Sequence, residues 1–374
     1  MRFYSAFNSL LYVGFFVNLS KRNLIMESIK DSSNQPAEAP RKRLLVVGAG
    51  GFVGGFIASA GLERGYDVTV AVRQSTSRHY LSDSRLKFLV LDYAKPDQIR
   101  DAVSEAMPDA ADRWDYVIYN LGATKCKNPN DFDLINRQYL VNFVETLREL
   151  NKLPQQLLFM SSLSAMGPGD EQGYTPIKVT DTPQPNTRYG LSKIKAEEYL
   201  RSIEELNYII FRATGVYGPR EKDYLMMIKS IDRHIDVGMG YREQLLTFIY
   251  VDDLVNAMYD ALAANLSRKT YIIAEPQAYT QTEFRRIVAD ELGGRWVLPL
   301  KLPMWVVYAV STLLEKFAAM QGKTSTLNRD KYKIMRQRNW AADVSEAIAD
   351  FGFHIEYPLK RGVHETVKAY LANR

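Results

Sequence analysis

Tyr189 and Lys193 lie four residues apart in the segment PNTRYGLSKIKAEEYL, whose pattern is helical. At that spacing, two side chains share one face of an α-helix. A tyrosine with its usual pKa of about 10 exchanges protons poorly at neutral pH, but a neighbouring ammonium stabilises the phenolate and lowers the pKa. The pair is therefore a candidate acid–base dyad, although the same spacing also arises by chance in helical proteins.

Two serines strengthen this interpretation. The segment LLFMSSLSAMGP contains an apolar strand-like run that ends at Ser161 and Ser162. In doubly wound folds, ligands collect at the edge of the sheet where parallel strands end. We therefore expect the Ser162 hydroxyl to hold a substrate oxygen beside Tyr189.

A glycine-rich turn lies far upstream, in the segment RLLVVGAGGFVGGFIASAGLERGYDVTVAVR. Gly48, Gly51 and Gly54 follow the apolar run LLVV and lead into a helical stretch at 52–63. Glycines in this context allow a tight turn and let backbone amides approach a pyrophosphate at the helix N-terminus. The order of strand, glycines and helix predicts a dinucleotide site, with a purely structural turn as the alternative.

The end of the second strand distinguishes the two nicotinamide cofactors. An acidic residue there binds the ribose 2′-hydroxyl, whereas an arginine accommodates a 2′-phosphate. Arg73 and Arg78 occupy this position, and we predict that NADP(H) is preferred, with NAD(H) as the alternative. Asp92 is expected either to reach the adenine edge or to cap a helix. The predicted cofactor contacts are Gly48, Gly51, Phe52, Val53, Gly54, Arg73, Arg78, Asp92, Leu121, Gly122, Tyr189 and Lys193.

Strand-like apolar runs alternate with helical stretches along the chain. The runs lie at residues 44–47, 68–72, 86–91, 116–121, 157–161, 208–211 and 271–274. Such alternation predicts an α/β fold, a Rossmann-type doubly wound parallel sheet with helices on both faces. The pattern becomes mainly helical after Trp296, which predicts a smaller, mainly helical C-terminal substrate domain that covers the substrate.

The predicted domains follow from these patterns. Residues 1–40 form a leader or disordered tail, residues 41–215 and 245–275 the dinucleotide-binding Rossmann domain, and residues 216–244 and 276–374 the substrate-binding domain. Within the leader, residues 3–19 are largely apolar and are marginal as a membrane span. Because Met26 opens a more ordinary start, we interpret the first 25 residues as an over-extended reading frame, with a membrane anchor as the alternative.

Composition narrows the class of partner. The 374 residues are 46% hydrophobic and 24% charged, with a formal net charge of +5 and no basic run interleaved with aromatic residues. We therefore expect a small-molecule partner and no nucleic acid. The single cysteine, Cys126, excludes an intrachain disulfide and a CxxC metal cluster, so no metal site is predicted and a cytoplasmic location is expected. Cys126 lies between Lys125 and Lys127 and is either a reactive thiol or, as we favour, a bystander.

In these motifs the chain resembles the extended short-chain dehydrogenases/reductases, also called the NAD-dependent epimerase/dehydratase family. The resemblance covers residues 43–275 with specific motifs and 276–374 more loosely. It places the catalytic serine at Ser162, the YxxxK pair at Tyr189 and Lys193, and a helix asparagine at Asn136. The segments FRATGVYGPR and FIYVDDLVNAM, around Asp253, also match.

The resemblance implies hydride transfer between a nicotinamide and a secondary alcohol or ketone. Tyr189 would exchange the proton, and Lys193 would bind the nicotinamide ribose and lower the tyrosine pKa. Paired helices in this family also imply a homodimer as an open alternative.

The substrate is predicted from two features that differ from the nucleotide-sugar members of this family. Nucleotide-sugar members carry an arginine where this chain has Leu246, which leaves a substrate phosphate unpaired unless Arg242 substitutes. Residues 302–314 form an apolar helix that is interpreted as buried, with a wall for a lipid-like substrate or a membrane-surface contact as alternatives. The tail looks like those of the 3β-hydroxysteroid dehydrogenase and dihydroflavonol reductase branch.

The sequence therefore predicts an NADP(H)-preferring oxidoreductase that interconverts a secondary alcohol and a ketone on a hydrophobic substrate such as a steroid or keto-lipid. A nucleotide-sugar epimerase or dehydratase is the first alternative. A non-catalytic NADP-sensing protein is the second. The expected location is cytoplasmic, with peripheral membrane association as the alternative.

Overall fold

The structure is a computed structural model that describes residues 41–321 and 329–374. The predicted leader, residues 1–40, lies outside these residues. Within the described ranges, no helix is long and apolar enough to cross a bilayer.

Thirteen strands are described. They are β1 (Arg43–Val47), β2 (Asp67–Val72), β3 (Lys87–Val90), β4 (Tyr116–Tyr119), β5 (Gln156–Met160), β6 (Tyr208–Ala213), β7 (Gly215–Tyr217), β8 (Ile235–Met239), β9 (Leu245–Leu246), β10 (Phe248–Tyr250), β11 (Lys269–Ile273), β12 (Tyr279–Thr280) and β13 (Leu298–Leu302).

The principal helices alternate with these strands in the first part of the chain and dominate its last part. They are α1 (Phe52–Glu63), α2 (Pro96–Ala106), α3 (Tyr139–Glu149), α4 (Arg188–Ser202), α5 (Lys222–Asp232), α6 (Val251–Ala263), α7 (Gln281–Glu291), α8 (Met304–Met320), α9 (Arg329–Arg336), α10 (Ser345–Phe351) and α11 (Leu359–Ala372).

Alternation of side chains along β1 explains why a sheet forms with two covered faces. Leu44 and Val46 enter one apolar core, while Leu45 and Val47 enter another on the opposite face. The first core includes side chains of α1 and α6, and the second includes side chains of α2, α3 and α4. A strand buried on both faces needs the continuous apolar run that the sequence shows.

Seven parallel strands form the central sheet in the order β11-β6-β5-β4-β1-β2-β3. All seven predicted strands lie in it, so the predicted doubly wound Rossmann fold is confirmed. The strand order reverses between β1 and β4, and ligands bind beyond the carboxyl ends of the strands at such a point. The glycine turn follows β1 there.

The C-terminal part differs from its prediction in two ways. The segment after Trp296 is not entirely helical, because β13 pairs in parallel with β8. The helix predicted at 302–314 is also not buried as interpreted: α8 is longer, and apolar side chains such as Leu313 and Phe317 point to the surface. The predicted domain boundaries stay a prediction.

Candidate functional site

The glycine turn packs backbone directly against backbone. Gly48 has a φ of +81°, and a Cβ there would lie 2.8 Å from the Leu121 Cα. A Cβ on Gly54 would lie 2.3 Å from the Gly48 carbonyl oxygen. These positions require glycine because the ends of β1, β4 and α1 meet within van der Waals distance.

Gly51 occupies a different position, because its Cβ would lie 3.4 Å from the Gly48 oxygen, an ordinary contact. Gly51 is exposed and is the N-cap of α1; within the described chain no side chain caps this helix and its first turn holds no acidic residue. The amides of the turn and the positive end of the helix dipole are thus available to an anion. Phe52 and Val53 begin the helix at this point.

The predicted adenosine contacts lie at the ends of the next two strands. Arg73 follows β2 and is exposed, while the Arg78 guanidinium lies 4.3 Å from the centroid of the Phe88 ring. Asp92 accepts a hydrogen bond from the Ala94 amide (3.1 Å), so it stabilises a turn. It does not cap α2, whose N-cap is Lys95. A role for Asp92 at the adenine stays a prediction.

Tyr189 and Ser162 are brought together by the start of α4. The Thr187 hydroxyl accepts a hydrogen bond from the Gly190 amide and caps the helix, which places Tyr189 in its first turn. Burial raises the pKa of Tyr189, while a hydrogen bond with the Ser162 side chain lowers it. The phenol therefore lies within hydrogen-bonding distance of the Ser162 hydroxyl, and the roles predicted for the two residues stay predictions.

Lys193 lies one turn further along α4 and is buried. Its ammonium donates to the Met160 carbonyl (2.8 Å) at the end of β5. Burial lowers its pKa to about 8, against the charge of Glu197, which raises it. Lys193 does not contribute to the pKa of Tyr189 in this structure, so the lowering of that pKa by Lys193 stays a prediction.

Asn136 is completely buried and links three parts of the site. Its side-chain oxygen accepts from the Ala123 amide (2.7 Å), and its amide donates to the Ala123 carbonyl and to the Ser192 hydroxyl. It lies in a π-helix, Leu134–Gln138, which directly precedes α3. Single π-helical turns are common at functional sites because they redirect one side chain out of an α-helical register.

The buried carboxylate of Glu197 connects the elements that carry the site. Glu197 is fully buried and forms an ion pair with Arg212 of β6 (2.7 Å). It also accepts a hydrogen bond from the Ser161 hydroxyl (2.5 Å) and pairs with Arg201 (2.8 Å). Glu197 therefore fixes the ends of β5 and β6 against the helix that carries Tyr189.

A cleft of about 760 Å³ opens next to the dyad. Phe132 lines it and contacts the Tyr189 ring, with 6.2 Å between the ring centroids. Its outer walls come from the loop after β4 and from α8 and α9. That the C-terminal part covers a substrate stays a prediction.

Six cationic and two anionic side chains line this cleft. Glu315 is paired with Arg329, and the other acid, Asp330, accepts from the Arg188 amide. The cationic residues are Lys127, Arg188, Lys316, Arg329, Lys333 and Arg336. Among the described residues, Lys127, Lys316 and Arg336 have no ion-pair partner. An excess of positive charge in a concave site attracts anionic ligands.

Other sequence candidates take structural roles. Burial raises the pKa of Cys126 to about 11, which supports the bystander interpretation. Leu246 pairs with Tyr279 between β9 and β12, while Arg242 is exposed. Asp253 is buried and accepts hydrogen bonds from the Glu356 and Tyr357 amides.

The sequence analysis did not identify the buried Glu197–Arg212 ion pair or the cations that line the cleft. Arg212 gave a signal that went unused, because a charged residue inside the apolar strand YIIFRA requires a buried partner. Glu197, four residues after Lys193, is the acid on the same helix face. The cleft cations come from separate segments, and no local pattern announces that they converge.

The residues present fit a nicotinamide dinucleotide. The turn has no room for side chains at Gly48 and Gly54, and no described side chain caps α1 there. It lies at the same edge of the sheet as Tyr189. A Cβ at Gly122 would lie 3.0 Å from the Lys193 ammonium nitrogen. The space beside Tyr189 and Lys193 is therefore free of a side chain because residue 122 is glycine.

Several known proteins similar to this chain are named UDP-glucose 4-epimerases. A putative UDP-glucose 4-epimerase of Methanocaldococcus jannaschii is 25% identical over 266 residues, which cover 67% of this chain and 83% of that protein. The UDP-glucose 4-epimerase of Vibrio cholerae is 23% identical over 345 residues, covering 88% and 96%. The solved structure of a Thermus thermophilus UDP-glucose 4-epimerase in complex with NAD superposes with a TM-score of 0.70 at 18% identity, covering 89% and 100%.

The sequence profile of the family described as the NAD dependent epimerase/dehydratase family matches residues 44–274. This match spans more than half of the chain and contains the glycine turn, Ser162, Tyr189 and Lys193. The chain belongs to the NAD dependent epimerase/dehydratase family.

Proposed function

We propose that this protein is an NAD(P)-dependent enzyme that oxidises and reduces a carbinol carbon of a phosphate-bearing sugar, such as a nucleotide sugar, as an epimerase or dehydratase does. The observation that carries the proposal is the cationic cleft beside Tyr189. A phosphate needs charged donors, and Lys127, Lys316 and Arg336, for which no ion pair is seen within residues 41–321 and 329–374, supply them. The named relatives act on nucleotide sugars, which supports the same substrate class.

The proposed roles follow from the geometry. The Ser162 hydroxyl holds the reacting sugar oxygen, and the Tyr189 phenol moves the proton at that oxygen. Lys193 holds the ribose beside Gly122, and the glycine turn binds the pyrophosphate through backbone amides. When bound, the nicotinamide accepts or returns a hydride.

A hydrophobic alcohol or ketone is the second candidate substrate, with the protein then belonging to the 3β-hydroxysteroid dehydrogenase and dihydroflavonol reductase branch. Leu246 in place of arginine and the apolar residues of α8 favour it. The cleft charges oppose it, because burying unpaired cations against an apolar ligand costs free energy.

The test is turnover of purified protein with panels of UDP- and GDP-sugars, ketosteroids and keto-sphingoid bases, with products identified by mass spectrometry and NMR. We expect conversion of a sugar nucleotide and none of the apolar ketones. Arg336→Gln should raise KM about tenfold through the loss of one charge-assisted contact. Lys360→Gln, a remote exposed cation, is the matched control, and turnover of the apolar ketones alone would refute the proposal.

Cofactor preference is the finer part of the proposal. The exposed Arg73 supports NADP(H), whereas a relative's structure contains NAD. If Arg73 binds the 2′-phosphate, Arg73→Gln should weaken NADPH binding about tenfold or more and leave NADH binding nearly unchanged. Nucleotide fluorescence titration measures both, and equal losses for the two nucleotides would contradict this assignment.

A further inference from the structure

The surface formed by residues 296–320 exposes far more apolar side chain than a solvated protein face needs. Trp305 is 74% exposed, Leu313 66%, Phe317 60% and Met320 85%. Exposed apolar residues are ordinary when scattered singly, but a contiguous patch marks an interaction surface.

Helix α8 has the reverse of the usual amphipathic arrangement. Val307 and Ser311 face the protein, and the Ser311 hydroxyl donates to the Val307 carbonyl (2.5 Å), so its polar group is satisfied inside. Leu313, Phe317 and Met320 follow helical spacing on the outer side. The inner side of α8 is thus packed, whereas Leu313, Phe317 and Met320 remain largely exposed among the described residues.

The two-stranded ribbon of β8 and β13 extends this surface. Ile235 is in register with Leu298 and Val237 with Leu300, and all four side chains are exposed. The ribbon joins α8 directly, because a Cβ on Gly240 would lie 3.4 Å from the Met304 side chain. We call Leu298, Leu300, Trp305, Leu313, Phe317 and Met320 the apolar face.

The charges beside the apolar face indicate what covers it. Helix α9 packs on α8 through Tyr332 and Tyr308, whose ring centroids are 5.2 Å apart. In its sequence, RDKYKIMR, Arg329 pairs with Glu315 and Lys331 with Asp223, while Lys333 and Arg336 are exposed. The exposed Lys301 and Lys316 lie within the apolar segment itself. An apolar face edged by cations is complementary to an anionic lipid surface. Two copies of the same face would bring like charges together, which disfavours a dimer.

We propose that the apolar face docks this protein on the surface of an anionic lipid bilayer. Trp305, Leu313 and Phe317 enter the headgroup region, and the flanking lysines and arginines meet anionic headgroups. Because α8 also supplies Tyr308 and Thr312 to the cleft, docking brings the cleft mouth close to the lipid. The inference does not depend on the proposed function.

The test is co-sedimentation of the full chain with vesicles of phosphatidylcholine, alone or mixed with phosphatidylglycerol. Wild type should bind the mixed vesicles and lose binding as salt is raised. The double variant Leu313→Glu with Phe317→Glu should bind at least about tenfold more weakly. Ile348→Glu, at a side chain of comparable exposure elsewhere (48%), should bind like wild type.

Two further measurements keep the proposal falsifiable if a variant folds poorly. Brominated lipids should quench tryptophan fluorescence of the wild-type chain, and sedimentation velocity reports its oligomeric state. Absence of vesicle binding, or binding unchanged by the two glutamates in folded protein, would overturn the proposal. So would a wild-type dimer that the glutamates dissociate in a protein without vesicle binding, because the face would then be a subunit interface.

Discussion

Lys193 is a buried lysine whose titration changes on folding. Burial lowers its pKa to about 8 from a usual value of 10.5, so the unfolded chain binds the extra proton between these two pH values. Stability from this residue therefore rises with pH across that window. Urea unfolding at several pH values should show the stability of wild type relative to Lys193→Met increasing from about pH 8 to 10. A constant difference would mean that the pKa is unshifted.

The glycines of the turn divide into a packing and a binding class. Gly54→Ala should cost about 1–3 kcal/mol of stability, because the added methyl group meets the Gly48 carbonyl oxygen at 2.3 Å. Gly51→Ala has room for the methyl group and should keep near wild-type stability while weakening nucleotide binding. Thermal unfolding and fluorescence titration separate the two effects, and equal destabilisation by both substitutions would contradict this division.

Tyr189→Phe removes the hydroxyl that we propose as the proton donor and leaves the ring that contacts Phe132. We expect kcat to fall about 100-fold or more with nucleotide affinity retained, the usual scale for a positioned general acid. The reaction found in the substrate panel provides the rate assay. Unchanged turnover would instead support the non-catalytic, nucleotide-sensing alternative.

At the level of elements, Glu197 of α4 forms ion pairs with two arginines, the buried Arg212 and the partly exposed Arg201. Removing Arg212, which is 3% exposed, leaves the buried carboxylate poorly compensated and should cost about 3–5 kcal/mol. Removing Arg201, whose side chain is 34% exposed, should cost less than about 1 kcal/mol. Urea unfolding of Arg212→Met and Arg201→Met compares them, and similar losses would show that burial does not set the strength of these ion pairs.

The elements also show how far the sequence could be interpreted. Apolar runs and glycine spacing identified every strand of the central sheet and the bounds of α1, because local periodicity determines these elements. The prediction that α8 is buried was wrong, because the sequence shows that the helix is apolar but does not show which of its sides packs against the protein. The π-helix at Asn136 and the converging cleft cations depend on long-range packing and have no local signature.

Across the whole molecule, two buried carboxylates attach the C-terminal segment to the Rossmann sheet. Asp253 accepts from the Glu356 and Tyr357 amides, and Glu275 accepts from the Leu359 amide at the start of α11. Asp253→Asn should weaken this attachment and speed hydrogen exchange across α11 without unfolding the sheet. Lys368→Gln, an exposed change within α11, is the control; unaltered exchange in Asp253→Asn would show that apolar packing alone holds the helix.

The buried Glu197–Arg212 ion pair beside Tyr189 and Lys193 has an evolutionary consequence. The side chains that we propose to move the proton are held by the sheet and by Glu197, whereas the cleft walls come from a loop and from two distal helices. Changes in those walls can therefore alter which molecule is accepted while the geometry of proton transfer is conserved.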